Sequence, residues 1–215
     1  MKVVVIGHGG HSKVITEAIL SNDDYEIVGY LDDKYEGVSL VGNIIYGPLL
    51  SAITLVDHFY DINFVIAIGN NEIRKEIVRK LNFSDNRYVT IIHQSAVVSP
   101  TSKIGVGTVV MPNSVINADS EIGKHTIINT GAIVEHDSEI SNFCHIAPRA
   151  TLTGDVQLEE GVSIGAGATV IPGVTIGSWS TIGAGAVVIN QIPSYCTAVG
   201  IPAKVKKVKK GELID

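Results

Sequence analysis

Residues 151–188 read TLTGDVQLEEGVSIGAGATVIPGVTIGSWSTIGAGAVV. Every sixth position from Leu152 is a large aliphatic residue: Leu152, Leu158, Ile164, Val170, Ile176, Ile182 and Val188. Followed backward, the frame passes through Ile146, Ile140, Val134, Ile128, Ile122, Ile116, Val110, Ile104 and Val98 to Ile92, seventeen positions without an exception. If such residues fill about three positions in ten, chance gives this on the order of once in 10⁹ trials. Four places after each stands a smaller residue, Ala96 or Cys144 for example. A period of six is neither helical nor a plain two-residue alternation. It fits short parallel strands bent at regular corners, with the branched and the small residue both pointing inward. Ile-Gly pairs at 104–105, 122–123, 164–165, 176–177 and 182–183 put a permissive residue just before a corner. Three strands per turn make a coil of 18 residues and a prism about 27 Å tall.

The first ninety residues follow another pattern. A β-branched strand at 2–6 ends in Gly7-His8-Gly9-Gly10-His11. A helix follows at 12–20, with Ser12 as N-cap and Val14, Ala18, Ile15 and Ile19 toward the core. A second strand at 26–31 runs into Asp32-Asp33, and a third at 64–68 into Gly69-Asn70-Asn71 before a helix at 72–81. Strand, glycine turn, helix, strand and acid make a Rossmann-like βαβ opening. Gly7-x-Gly9 could bring backbone N–H groups to a pyrophosphate at the helix start, but Ser12 stands where a third glycine would. The turn therefore reads equally as a plain βα connection. Ninety residues are too few for a complete dinucleotide domain and fit a smaller ligand such as a nucleotide sugar. The expected organisation is a small α/β domain at 1–91 capping the N-terminal end of a β-solenoid at 92–203, then a basic tail at 204–215.

Composition narrows the function. A net charge of −6 over 215 residues argues against a generally basic nucleic-acid binder. No apolar run approaches the ~18 residues of a membrane span, and MKVVVIGHGG reads as a strand rather than a secretory leader. Two cysteines, Cys144 and Cys196, make no disulfide framework and suit the cytoplasm; Cys144 falls in an inward small-residue slot. Lys204, Lys206, Lys207, Lys209 and Lys210 form either a solvated tail or an anion-steering one. His136, two places after inward Val134, stands outward at a corner, and His145 also points out. Neutral imidazole suits proton removal from an attacking amine near pH 7. Asp137 is adjacent to orient it, with Glu135 in reserve. The solenoid histidines 93, 125, 136 and 145 differ by 32, 11 and 9, never by the 18 or 36 that would stack them as zinc ligands. No metal is expected, which argues against a zinc hydratase. A non-catalytic solenoid would leave the glycine turn idle.

The Gly-x-Gly-Gly-His start, Asp32-Asp33, the run Ala67-Ile68-Gly69-Asn70-Asn71-Glu72-Ile73-Arg74-Lys75, and the 18-residue coil occur together. With these features the chain resembles the sialic-acid O-acetyltransferase and UDP-4-amino-sugar N-acetyltransferase family of the hexapeptide-repeat acyltransferases, which includes bacillosamine-pathway enzymes. The resemblance runs from Met1 to about Lys206. It implies a left-handed parallel β-helix, acetyl-CoA as co-substrate, and a nucleotide-linked amino sugar as acceptor for glycan or surface polysaccharide biosynthesis. O-acetylation of a sugar such as sialic acid is the alternative. Val134-Glu135-His136-Asp137 matches the family's catalytic stretch, and Phe143-Cys144-His145-Ile146 matches a segment that touches acetyl-CoA. The resemblance assigns His136 and Asp137 to catalysis, although Asp137 stands where relatives carry Glu. It assigns His145, Gly154, Ala166 and Ala184 to acetyl-CoA, and His11, Asp32 and Asp33, with Gly9, Gly10 and Gly69 beside them, to the nucleotide sugar. A homotrimer is expected, because outward residues on one flat prism need a second wall to make a cleft.

Overall fold

The computed structural model describes residues 1–208. It opens with β1 (Lys2–Ile6), α1 (Gly10–Leu20) and β2 (Glu26–Leu31). A hairpin of β3 (Ser39–Val41) and β4 (Ile44–Gly47) follows, then α2 (Ser51–His58), β5 (Ile62–Ile66) and α3 (Asn71–Leu81). The sheet order is β3-β4-β2-β1-β5, parallel except for β3. Helix α1 starts two residues before the expected position, with Gly9 as N-cap. Ser12 lies inside the helix and turns its Oγ back to the Gly9 carbonyl at 2.7 Å. The buried stripe is Ser12, Ile15, Ala18 and Ile19, whereas Val14 faces outward. The hairpin and α2 have no counterpart in the pattern reading. The side chains of β3 are exposed on both faces, so no alternation marks it.

From Ile91 the chain winds in two-residue strands, each paired in parallel with the strand one coil on, as in Val97↔Val115↔Ile133. Three sheets form the faces of a left-handed parallel β-helix of hexapeptide repeats. The sixth-residue aliphatics fill its core from Val110 to Val188, with Ala132, Cys144, Ala150 and Ala168 between them. Buried hydroxyls in the same slots bond to coil carbonyls, as Thr108 Oγ1 does to Gly123 O at 2.7 Å.

The corners correct one expectation. Left-handed φ falls three places after each aliphatic from Ile104 to Ile182, at Gly107, Asn113, Asp119 and onward through Asp137 (φ +59°) to Gly185. The Ile-Gly glycines do not carry it. They are demanded instead by the approach of the next coil: a Cβ on Gly165 would stand 2.5 Å from Ala184 N. Gly165→Ala should therefore destabilise the fold by ~1–3 kcal/mol, the usual cost of overpacking. Gly173→Asn should be tolerated, because its φ is +71° with open space around it and asparagine accepts that conformation. Urea melts of the two variants test this, and equal midpoints would refute it.

The α/β domain does not close the end of the prism. It lies along one side, where α1 packs Ile15, Ala18 and Ile19 against outward-facing Ile91, Val109, Met111 and Ile127. Those outward positions are apolar, so burial under α1 is favourable there. At the other end, Lys204–Val208 is a strand antiparallel to Cys196–Val199 rather than part of a tail. That pairing satisfies backbone groups that Cys196–Val199 would otherwise leave open at the last coil. Lys209, Lys210 and the rest of the expected tail lie outside the described residues. Among the described residues no helix is long and apolar enough to cross a membrane.

Candidate active site

His136 and Asp137 occupy the corner after the strand Ile133–Val134, where left-handed φ at Asp137 swings its carboxylate back. His136 Nδ1 lies 2.7 Å from Asp137 Oδ2, so the shorter acid does reach. This hydrogen bond and the Asp137 charge, with smaller contributions from Glu135 and Asp155, raise the His136 pKa above 6.5. The ring is exposed and leaves Nε2 free for chemistry. Gly154, one coil on, lies directly beneath it: a Cβ there would stand 2.6 Å from His136 Cε1.

His145 opens the strand His145–Ile146 on another face. It points out of the prism but is covered by the α/β domain. Asn129 Oδ1 accepts from Thr130 N–H at 2.8 Å, which aims Asn129 Nδ2 at His145 Nε2, 3.0 Å away. The Gly69 backbone adjoins the ring: a Cβ on Gly69 would stand 4.0 Å from His145 Cε1. Burial, then the nearby Arg74 and His11, push its pKa down to about 4, so the ring stays neutral. His11 lies 6.3 Å away between ring centroids, is lowered by burial and Arg74, and leaves a buried Nε2 without a protein partner. A hollow of about 170 Å³ beside this pair is lined by Gly69, Asn70, Ser163, Thr181 and Trp179.

A second hollow of about 320 Å³ opens at the carboxyl ends of β1 and β2, lined by Gly7, Asp32, Asp33, Leu49, Ile68 and Lys80 among others. Asp32 accepts from His8 N–H at 2.6 Å and Lys34 N–H at 3.0 Å. Burial opposes its ionisation, but those two donors and the Lys34 charge hold its carboxyl below the ordinary range. Asp33 accepts from Leu49 N–H at 3.0 Å. Gly9 and Gly10 have open space around them, at a helix start with no side-chain cap.

The sequence-assigned residues thus fall into three places. His136 and Gly154 share one corner. Ala166 and Ala184 share another, the corner after the face that carries His145. His11, Gly69 and His145 meet at the domain junction, with Asp32 and Asp33 beyond. No group of three or more metal-ligating side chains occurs among the described residues. Sequence reasoning missed Asn129, Ser163, Trp179 and the aromatic stack of His8 on Tyr30, whose centroids are 4.4 Å apart. It also passed over Asn71 and Arg74, although both stand inside the run that carried the resemblance.

Residues 2–81 match the PglD N-terminal domain family, and residues 155–190 match the bacterial transferase hexapeptide family (six repeats). A perosamine N-acetyltransferase from Caulobacter crescentus, solved as a histidine variant with CoA and GDP-perosamine, is 39% identical. The match covers 96% of this chain and 97% of that one, with a TM-score of 0.87. The acetyltransferase domain of PglB from Neisseria gonorrhoeae, solved with acetyl coenzyme A, is also 39% identical, covering 95% and 98% at a TM-score of 0.84. UDP-N-acetylbacillosamine N-acetyltransferase of Bacillus subtilis (strain 168) is 44% identical over 109 residues, 51% of this chain. That stretch spans 50% of the length of this curated relative.

Proposed function

Because the chain belongs to the family of hexapeptide-repeat N-acetyltransferases with a PglD-type N-terminal domain, we propose that it acetylates the amino group of a nucleotide-linked amino sugar, using acetyl-CoA. A UDP-4-amino-4,6-dideoxy sugar made for a surface glycan is the acceptor this reading favours. The observation that carries it is the exposed His136–Asp137 pair at 2.7 Å. Neutral His136 Nε2 takes a proton from the amine as nitrogen bonds to the thioester carbon. The tetrahedral adduct then collapses, the C–S bond breaks, and the CoA thiolate leaves with the proton returned to it. Asp137 orients the ring and supports its positive charge. Cys144 offers no competing nucleophile, since full burial pushes its thiol up to about 12. An acetyl-CoA consumption screen across UDP-, GDP- and CMP-linked amino sugars tests the reading; no consumption with any of them would refute it.

The base works when neutral, so activity falls on the acidic side of its pKa. Asp137 holds that pKa above 6.5. Asp137→Asn should therefore move the acidic limb of the kcat/KM profile to lower pH, with a smaller loss of rate than removal of the imidazole. An unmoved limb would assign the partner role elsewhere, with Glu135 next in line.

Assembly as a homotrimer completes the site in this reading. One prism holds His136 on one corner, and Ala166 and Ala184 on another, so a donor touching both sets needs a second subunit. Of the three faces, one packs against α1 and a second carries Lys103, Glu121 and Glu139. The third presents Val97, Val115 and Ile133, then Thr151, Thr169 and Val187, without a charged side chain in that row, which suits burial against a second copy. Lys204, Lys206 and Lys207 on the closing strand supply positive charge for the phosphates of CoA. Acetyl-CoA as donor and the two buried free thiols suit the cytoplasm. Light scattering should report about three times 22.8 kDa. A fully active monomer would contradict the shared site.

A further inference from the structure

Arg74 is among the largest fully buried side chains, with 1% exposure. Among the described residues its bonded partners are carbonyl and amide oxygens, none a carboxylate. Instead Nε donates to the His125 carbonyl at 2.7 Å, and Nη1 to the Ile68 carbonyl at 2.9 Å with Gly69 O at 3.4 Å. Nη2 reaches Asn71 Oδ1 at 2.8 Å and the Phe143 and Cys144 carbonyls at 2.9 and 3.1 Å. Asn71 extends the reach, donating Nδ2 to Gly161 O at 3.1 Å and Val162 O at 3.2 Å. The prism residues bonded in this way begin at 125, 143 and 161, one per coil along a single corner.

A buried guanidinium is costly to desolvate, and a clamp of this kind needs most of its five donors satisfied. Satisfying them with carbonyls of the prism on one side and of the Ile68–Gly69 turn on the other joins the two domains at one planar group. The Gly69 turn also adjoins the His145 ring, whose Cε1 lies 4.0 Å from where a Gly69 Cβ would stand. The turn it belongs to separates the hollow at Asp32 and Asp33 from the hollow at Ser163 and Thr181, since Ile68 lines the former and Gly69 the latter.

We propose that Arg74 is a positioning residue for acetyl transfer: its guanidinium locks the Gly69 turn to the prism beside the His145 ring, so that acceptor and donor are held in register. The inference rests on the acetyltransferase reading above and adds to it the residue that couples the two half-sites. Arg74 touches neither substrate. Its effect falls on the geometry of the encounter, where a misplacement of about 1 Å can cost on the order of 10²-fold in rate. Lysine cannot replace it, because one ammonium offers three donors from a single point instead of a planar fork.

The test uses Arg74→Lys and Arg74→Met in the full chain, with two measurements. The amides of Ile73 and Arg74 are held by Asn70 at the turn; their hydrogen exchange should quicken at least about tenfold in both variants, while the prism amides of Ile164 and Ile182 keep their protection. With a competent acceptor, kcat should fall roughly 10- to 100-fold while KM for acetyl-CoA changes less than about threefold. If Arg74→Met fails to fold, Arg74→Lys carries both measurements. Unchanged exchange at Ile73 and at residue 74 would overturn the clamp. A kcat within about twofold of the parent's, despite faster exchange, would overturn the positioning role. A parent chain that releases no thiol from acetyl-CoA overturns the acetyltransferase reading and not the clamp, which the exchange measurement decides alone.

Discussion

His136→Ala should lower turnover by about 10²–10⁴-fold, the usual share of a general base, while leaving KM for acetyl-CoA nearly unchanged. The ring is exposed and its hydrogen bond is to the neighbouring Asp137, so its loss leaves no cavity in the prism. The variant should melt with the parent. Steady-state kinetics on the folded variant read both constants together. Near-normal turnover would remove His136 from the mechanism, and a rise in KM alone would make it a binding group.

Gly154→Val should lower turnover on the order of 10²-fold by a different route. A Cβ at 154 would sit 2.6 Å from His136 Cε1 and 2.7 Å from Nε2. The ring must then swing aside. Because it is exposed, it can do so without disturbing the coil, and the cost falls on the geometry of the base rather than on stability. The family resemblance instead makes the Gly154 backbone a contact to acetyl-CoA. The two roles separate cleanly: displacement of the base lowers kcat, whereas loss of a donor contact raises KM for acetyl-CoA. A variant with the parent's kcat would refute the spacer role.

The solenoid was legible because each hexad repeats one steric demand, an inward aliphatic with a small residue four places on. Every coil restates it from Val98 to Val188. The outward positions were legible in principle and went unread: Ile91, Val109 and Ile127 are apolar where later coils show Ser163 and Thr181 on the same face. That change of character marks where α1 docks. His136 and Asp137 could be placed at a corner from the frame alone. The 2.7 Å contact between them depends on the left-handed backbone at Asp137, which no glycine in the sequence marks.

His145 shows what a linear reading cannot reach. Its outward direction follows from the frame, but its cover comes from residues 11, 69 and 74, which lie more than seventy positions earlier. The orphaned Nε2 of His11 and the Arg74 clamp are likewise products of two domains meeting. The β3–β4 hairpin was illegible for a simpler reason: Leu40 and Val41 are exposed, so no periodic burial marks them.

Acetyl transfer to an amine is tested most directly by the product. The purified chain is incubated with acetyl-CoA and a nucleotide-linked amino sugar, and separately with the same sugar carrying hydroxyl in place of the amine. Thiol release and product mass spectra are followed in both. The account predicts thiol release and a sugar amide with the amine, and neither with the hydroxyl analogue. An ester on a sugar hydroxyl, or no thiol release with any amino sugar that the protein binds, would contradict it.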